Sequence, residues 1–122
     1  MSVNVMLVDD SAAVRLLARR ALSEAGFGII EACDGVEALE KLQGSDPIAV
    51  IFCDVNMPRM NGIELLEELA RREGFRPPVV MLTTEGHPQL IKRAKECGAK
   101  GWMVKPFKCD QLVAAARKIT GA

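Results

Sequence analysis

Apolar residues follow two rhythms along the chain, and the rhythms alternate five times. Short apolar runs, rich in β-branched residues and bounded by turn residues, read as strands. They cover residues 3–8, 28–32, 49–53, 79–82 and 102–104. The third and fourth are apolar without alternation, the pattern of strands covered on both faces of a parallel sheet. Between the runs the apolar period is helical. After Ser11, Val14, Leu17, Ala18, Ala21, Leu22 and Ala25 form one stripe, with Arg15, Arg19 and Arg20 mostly off it, and Gly26 is placed to stop the helix. Asp34 with Glu37, and Asn61 with Glu64, have the spacing of capping boxes and open a second and a third helix. The third buries Ile63, Leu66 and Leu69. Pro88 in the first turn and Gly98 past the end frame a fourth. A fifth runs from about residue 109 to 119, with Leu112, Val113, Ala116 and Ile119 inward.

Five strand–helix units predict an open, doubly wound parallel α/β sheet with five helices, because parallel neighbours need crossover helices. A chain of 122 residues suits one domain, expected over residues 1–122. There is no internal repeat, low-complexity segment or linker. Thr120-Gly121-Ala122 follow the fifth helix directly, so no output domain is expected.

Composition narrows the function classes. Lys plus Arg number 16 and Asp plus Glu number 16, so the chain is not a generally basic, nucleic-acid-coating protein. A hydrophobic fraction of 49% and a charged fraction of 26% are ordinary for a folded globule. Cys33, Cys53, Cys97 and Cys109 form no C-x-x-C pair and have one histidine beside them, which argues against a zinc module. They read as reduced, buried or half-buried packing residues of a cytoplasmic protein. No apolar stretch is long enough for a membrane span, and the N-terminus has no signal-peptide pattern. Charge is uneven along the chain. Residues 1–85 hold 8 basic and 14 acidic residues, a net of −6, whereas residues 86–122 hold 8 basic and 2 acidic, a net of +6. Solvated faces explain this blandly; an acidic site and a basic partner surface explain it more sharply.

Open α/β sheets bind ligands at the carboxyl ends of their strands. Strand 1 leads into Asp9-Asp10-Ser11, strand 3 into Asp54-Val55-Asn56, strand 4 into Thr83-Thr84-Glu85 and strand 5 into Lys105-Pro106-Phe107. Strand 2 leads into Cys33-Asp34-Gly35, a turn and helix cap. Taken singly, Asp9-Asp10 could be an acidic first turn and N-cap, Asp54 a turn residue, Thr83 a satisfied hydroxyl and Lys105 a solvated cation. Together they bring three carboxylates, a hydroxyl and an ammonium to one edge. Crowded carboxylates repel, and a cation relieves the repulsion. All-oxygen ligands favour Mg²⁺, and the arrangement suits phosphoryl chemistry with Asp54 as nucleophile.

On these motifs the chain resembles the receiver domain of two-component response regulators, in particular the CheY-like, single-domain chemotaxis type. The motifs are Val8-Asp9-Asp10-Ser11, Asp54-Val55-Asn56-Met57-Pro58 with Asn61-Gly62, Leu82-Thr83-Thr84, and Gly101-Trp102-Met103-Val104-Lys105-Pro106-Phe107. The likeness covers essentially the whole chain and implies the flavodoxin-like strand order 2-1-3-4-5. It implies that Asp54 accepts a phosphoryl group from a histidine kinase, CheA-like in the chemotaxis case. Asp9, Asp10, Asp54 and the backbone carbonyl of Asn56 would hold Mg²⁺. Lys105 would pair with a phosphoryl oxygen, and the Lys105-Pro106 bond would be cis. Thr83 would turn to the phosphoryl group and Trp102 would follow it, although the chemotaxis prototype has a tyrosine at that place. Asn56 and Glu85 would tune dephosphorylation, with room for a separate phosphatase. Helix 4, strand 5 and helix 5 would bind an output partner, such as a flagellar switch component, through a basic surface that includes Lys92, Arg93, Lys95, Lys100, Lys108, Arg117 and Lys118.

On this reading the protein is a monomeric phospho-acceptor, neither a classical enzyme nor a nucleic-acid or membrane binder, and His87 carries no chemistry. A phosphorelay shuttle is an alternative pathway. A non-phosphorylated docking receiver is a second alternative, but such proteins lack part of the acidic site or the lysine. A haloacid dehalogenase-type phosphatase needs a second aspartate two residues after the nucleophile, and that place holds Asn56.

Overall fold

A computed structural model describes residues 3–44, 47–57, 59–72, 77–83 and 88–121. The strands are β1 (Asn4–Val8), β2 (Gly28–Ala32), β3 (Val50–Asp54), β4 (Val79–Thr83) and β5 (Gly101–Val104). The helices are α1 (Ala12–Glu24), α2 (Gly35–Leu42), α3 (Gly62–Arg71), α4 (Pro88–Glu96) and α5 (Cys109–Thr120). All five strands pair in parallel in the order β2-β1-β3-β4-β5. This is the expected fold.

Alternation along the central strands splits the core into two layers. Val5, Leu7, Val50, Phe52, Val80 and Leu82 face α1 and α5, where they meet Ala18, Leu22, Leu112 and Ala116. Met6, Val8, Ile51, Cys53, Val79 and Met81 face the opposite layer, where Ala38, Leu65, Leu66, Leu69 and Ala94 close over them. Both faces of β3 and β4 are therefore sealed, which is why their sequences show no polar alternation.

Helix starts follow their cap residues. The Ser11 hydroxyl accepts the Val14 amide at 3.3 Å, so the serine, not the aspartates before it, caps α1. Asn61 and Glu64 form the full reciprocal capping box at 2.9 and 3.0 Å. Helix α2 departs from that expectation. Asp34 accepts the Glu37 amide at 2.8 Å, but Glu37 reaches one residue further back, to the Cys33 amide at 3.0 Å.

Two packing expectations are corrected. Leu17 is 58% exposed, because α1 presses its Ala18–Leu22 side on the sheet and leaves Leu17 on the rim. There it borders an apolar recess with Val14, Pro106, Phe107 and Cys109. Of the four cysteines only Cys53 is fully buried; Cys33 and Cys97 are half-buried and Cys109 is exposed at the first residue of α5. All four are free thiols. Among the described residues no helix is long and apolar enough to cross a membrane.

Candidate functional site

Strand register builds the site. Val8 pairs with Cys53, so the next residues, Asp9 and Asp54, arrive side by side at the carboxyl edge. Thr83 pairs with Val104, which brings Lys105 to the same edge, and the Lys105 amide donates to the Thr83 carbonyl at 2.6 Å. The chain passes from β1 leftwards to β2 and then back to β3 on the other side of β1, which makes this edge the topological switch point. The Lys105-Pro106 bond is cis, as the motif implies.

Three carboxylates converge there. Asp9, Asp10 and Asp54 each offer an oxygen within 4.8 Å of the others. Asp9 and Asp54 are buried, at 2% and 6% exposure, while Asp10 is exposed at the mouth. The Lys105 ammonium reaches between the buried pair, 2.5 Å from Asp9 Oδ2 and 3.4 Å from Asp54 Oδ1. Asp9 Oδ1 also accepts the Ser11 amide at 2.9 Å. Burial raises the Asp54 carboxyl above its ordinary range, and the Asp9 charge raises it further; the Lys105 charge and the Asn56 amide pull it partly back. Two sealed carboxylates, one open carboxylate and no nitrogen or sulfur donor form a set suited to a hard divalent cation that keeps part of its water shell.

The other expected residues are distributed around this centre. Thr83 is buried at the end of β4. Asn56 is exposed just past Asp54. Trp102 lies half-buried on the edge strand β5, with the Lys95 ammonium 4.5 Å from its ring centroid, a cation–π contact. Lys92, Arg93, Lys95, Lys100, Lys108, Arg117 and Lys118 are all exposed, and Arg93 pairs with Glu67 at 3.0 Å. Glu85, together with Pro58, Thr84 and His87, lies outside the described residues.

Two arginines near the site escape a reading by periodicity. Arg15, expected to point away, donates to the Asp9 carbonyl and pairs with Glu31 at 3.3 Å, so it braces the backbone of the acidic cluster. Arg59 pairs with the buried Asp34 at 2.7 Å. Neither ion pair has a local signal, because Glu31 and Asp34 stand 16 and 25 residues from their arginines in the chain.

Comparison with known proteins places this geometry. The response regulator receiver domain pattern matches residues 5–117. The chemotaxis protein CheY1 of Helicobacter pylori is 36% identical over 107 residues, covering 86% of each chain. The response regulator MprA of Mycobacterium ulcerans is 38% identical over 119 residues, which are 98% of this chain and 50% of that protein. The structure of the chemotaxis response regulator CheY4 of Vibrio cholerae superposes with a TM-score of 0.88 at 37% identity, covering 98% of this chain and 99% of that one. With its strand order, its edge of acidic residues and its lysine, the chain belongs to the response regulator receiver domain family and is CheY-like within it.

Proposed function

We propose that this receiver takes a phosphoryl group on Asp54 from the phosphohistidine of a histidine kinase and uses it to switch a partner-binding surface. The observation that carries the reading is the convergence of Asp9, Asp10 and Asp54 around an edge that Lys105 already enters. An oxygen of Asp54 attacks phosphorus, the new P–O bond forms as the P–N bond breaks, and the imidazole leaves with a proton. Asp9, Asp10, Asp54 and the Asn56 carbonyl would hold Mg²⁺, which would supply charge neutralisation on the phosphoryl oxygens. Asp9 and Asp10 collect negative charge that draws the cation in. Lys105 favours the ionised form of Asp54 against burial and the Asp9 charge, and then pairs with a phosphoryl oxygen as a compact point charge.

The later steps belong to the same reading. Hydrolysis of the acyl phosphate returns Asp54 to its free state, and Asn56 and Glu85 set the rate; a separate phosphatase fits this scheme. Thr83, buried beside the site, turns its hydroxyl to the phosphoryl group. Trp102 then moves, and the α4–β5–α5 surface changes its affinity for an output protein. Likeness to CheY1 and CheY4 favours chemotaxis or motility signalling, with a CheA-like kinase upstream, a flagellar switch component downstream and a cytoplasmic location.

Intact mass after treatment with a small phosphodonor tests the core of the proposal. Wild type gains one phosphoryl group only with Mg²⁺ present, and Asp54→Asn gains none. Absence of labelling in every condition would recast the protein as a docking module with a metal-binding edge.

A further inference from the structure

Asp34 is a buried charge outside the acidic cluster, at 2% exposure. Its carboxylate caps α2 through the Glu37 amide. It also receives both arms of Arg59, Nε to Oδ2 at 2.7 Å and Nη2 to Oδ1 at 3.2 Å. That two-point pairing is the strongest geometry open to an arginine and a carboxylate. The Arg59 side chain is 58% exposed, so the guanidinium covers a carboxylate that water does not reach. The Arg59 contact leads the causes that hold the Asp34 carboxyl below its ordinary range.

The backbone at Arg59 makes the choice of residue informative. Its φ is 62°, in the left-handed region that glycine enters freely and that strains other residues. An arginine persists there because its side chain has a fixed destination. A second tie lies next to it: the Gly35 amide, at the start of α2, donates to the Met60 carbonyl at 3.1 Å. The two elements touch without a gap, since a Cβ on Gly35 would stand 2.6 Å from Met60 Cγ. At its other end the loop is tied to the sheet and to α3. The Val55 amide donates to the Leu82 carbonyl at 3.2 Å, and the Gly62 amide to the Val55 carbonyl at 2.9 Å. Val55, directly before Asn56, is thus fixed to the sheet, and Arg59, three residues after Asn56, is fixed to α2.

We infer that the Arg59–Asp34 pair is a positioning latch, which holds the β3–α3 loop so that the Asn56 backbone serves the cation at Asp9, Asp10 and Asp54. The inference rests on the proposed reading of that cluster as a divalent-cation and phosphoryl site. Neither latch residue touches the reacting groups; each acts through the path of the loop.

Three variants separate the latch from its surroundings. Arg59→Gly removes the guanidinium and relieves the positive φ, so backbone strain cannot account for a loss. Arg59→Lys keeps the charge but gives up the two-point contact. Asp34→Asn keeps a cap oxygen and removes the charge. Mg²⁺ is titrated calorimetrically into the unphosphorylated proteins, with thermal melting run alongside. The Mg²⁺ Kd rises about ten-fold in Arg59→Gly and Asp34→Asn, the size expected when a group orienting a metal ligand is lost, and Arg59→Lys falls between. With a small phosphodonor the defect falls on the Mg²⁺ concentration for half-maximal labelling rather than on the maximal rate. A folded Arg59→Gly with the wild-type Kd overturns the latch and leaves the pair a stability element. A wild type that neither binds Mg²⁺ nor accepts a phosphoryl group overturns the proposed function as well.

Discussion

Asp54 lies under opposing influences. Burial and the Asp9 charge favour its protonated form, Lys105 favours its ionised form, and the net displacement is upward. The folded chain therefore binds this proton more tightly than the unfolded chain, whose aspartates titrate near about 3.9. The sign of the linkage follows: stability is lost as pH rises from about 4 through the folded value. Asp54→Asn removes the penalised charge, so in metal-free buffer it unfolds at a higher urea concentration than wild type at pH 7. The gap narrows toward pH 4, where the wild-type carboxyl takes up its proton. Urea midpoints at the two pH values read this directly, and a gap that stays constant would show that charge is not its source. The same tension suits a group that must be ionised for chemistry yet shielded from water: a bound cation removes the penalty only while it is present.

Among the described glycines, Gly62 at the start of α3 has the least room for a side chain. A Cβ on Gly62 would lie 2.4 Å from the Asp54 carbonyl oxygen, a backbone atom that cannot turn aside. Alanine for glycine inside a helix ordinarily stabilises by about 1 kcal/mol. Here the sign reverses: Gly62→Ala costs roughly 1–3 kcal/mol by overpacking. It also lowers phosphodonor labelling, because the displaced backbone belongs to Asp54. Denaturation and intact mass on the same sample check both halves; a stabilised and fully labelled variant would contradict the contact. At this scale the sequence was most informative where the cause is local. The β-branched runs, the Asn61 capping box and the strand-end residues Asp9, Asp54, Thr83 and Lys105 all lie where their neighbours in sequence put them, although Ser11 rather than the aspartates before it caps α1. It was silent where the cause is tertiary. Leu17 belongs to the apolar stripe of α1 yet lies on its rim, because the sheet meets Ala18 and Leu22 instead. Arg15 and Arg59 look like solvated cations until the fold brings Glu31 and Asp34 to them.

The whole molecule is electrically lopsided. The acidic edge gathers Asp9, Asp10 and Asp54, while the exposed Lys92, Lys95, Lys100, Arg117 and Lys118 belong to or border the β4–α4–β5–α5 end of the sheet. On the proposed function, a partner for that end would carry the opposite charge, as an acidic helix or peptide does. Its affinity for this protein is expected to rise when a phosphoryl mimic is present and to fall as salt rises from 0.05 to about 0.3 M, because exposed charges are screened over a length of about 10 Å at 0.1 M. Fluorescence anisotropy of a labelled acidic peptide, with and without the mimic, measures both. Equal affinities in the two states would remove the switching surface from the proposal. The sum of charges hid this arrangement, since acidic and basic residues balance over the chain; their order along it did not.

Strand order also bears on how the chain is made. Because β1 pairs with both β2 and β3, residues 4–54 contain a complete three-stranded sheet. β4 then adds to the free side of β3, and β5 to the free side of β4. A chain emerging from the ribosome amino end first never has to open a finished pairing to admit a later strand. Synthesis and sheet growth run in one direction, and the last strand to dock is the one that carries Trp102.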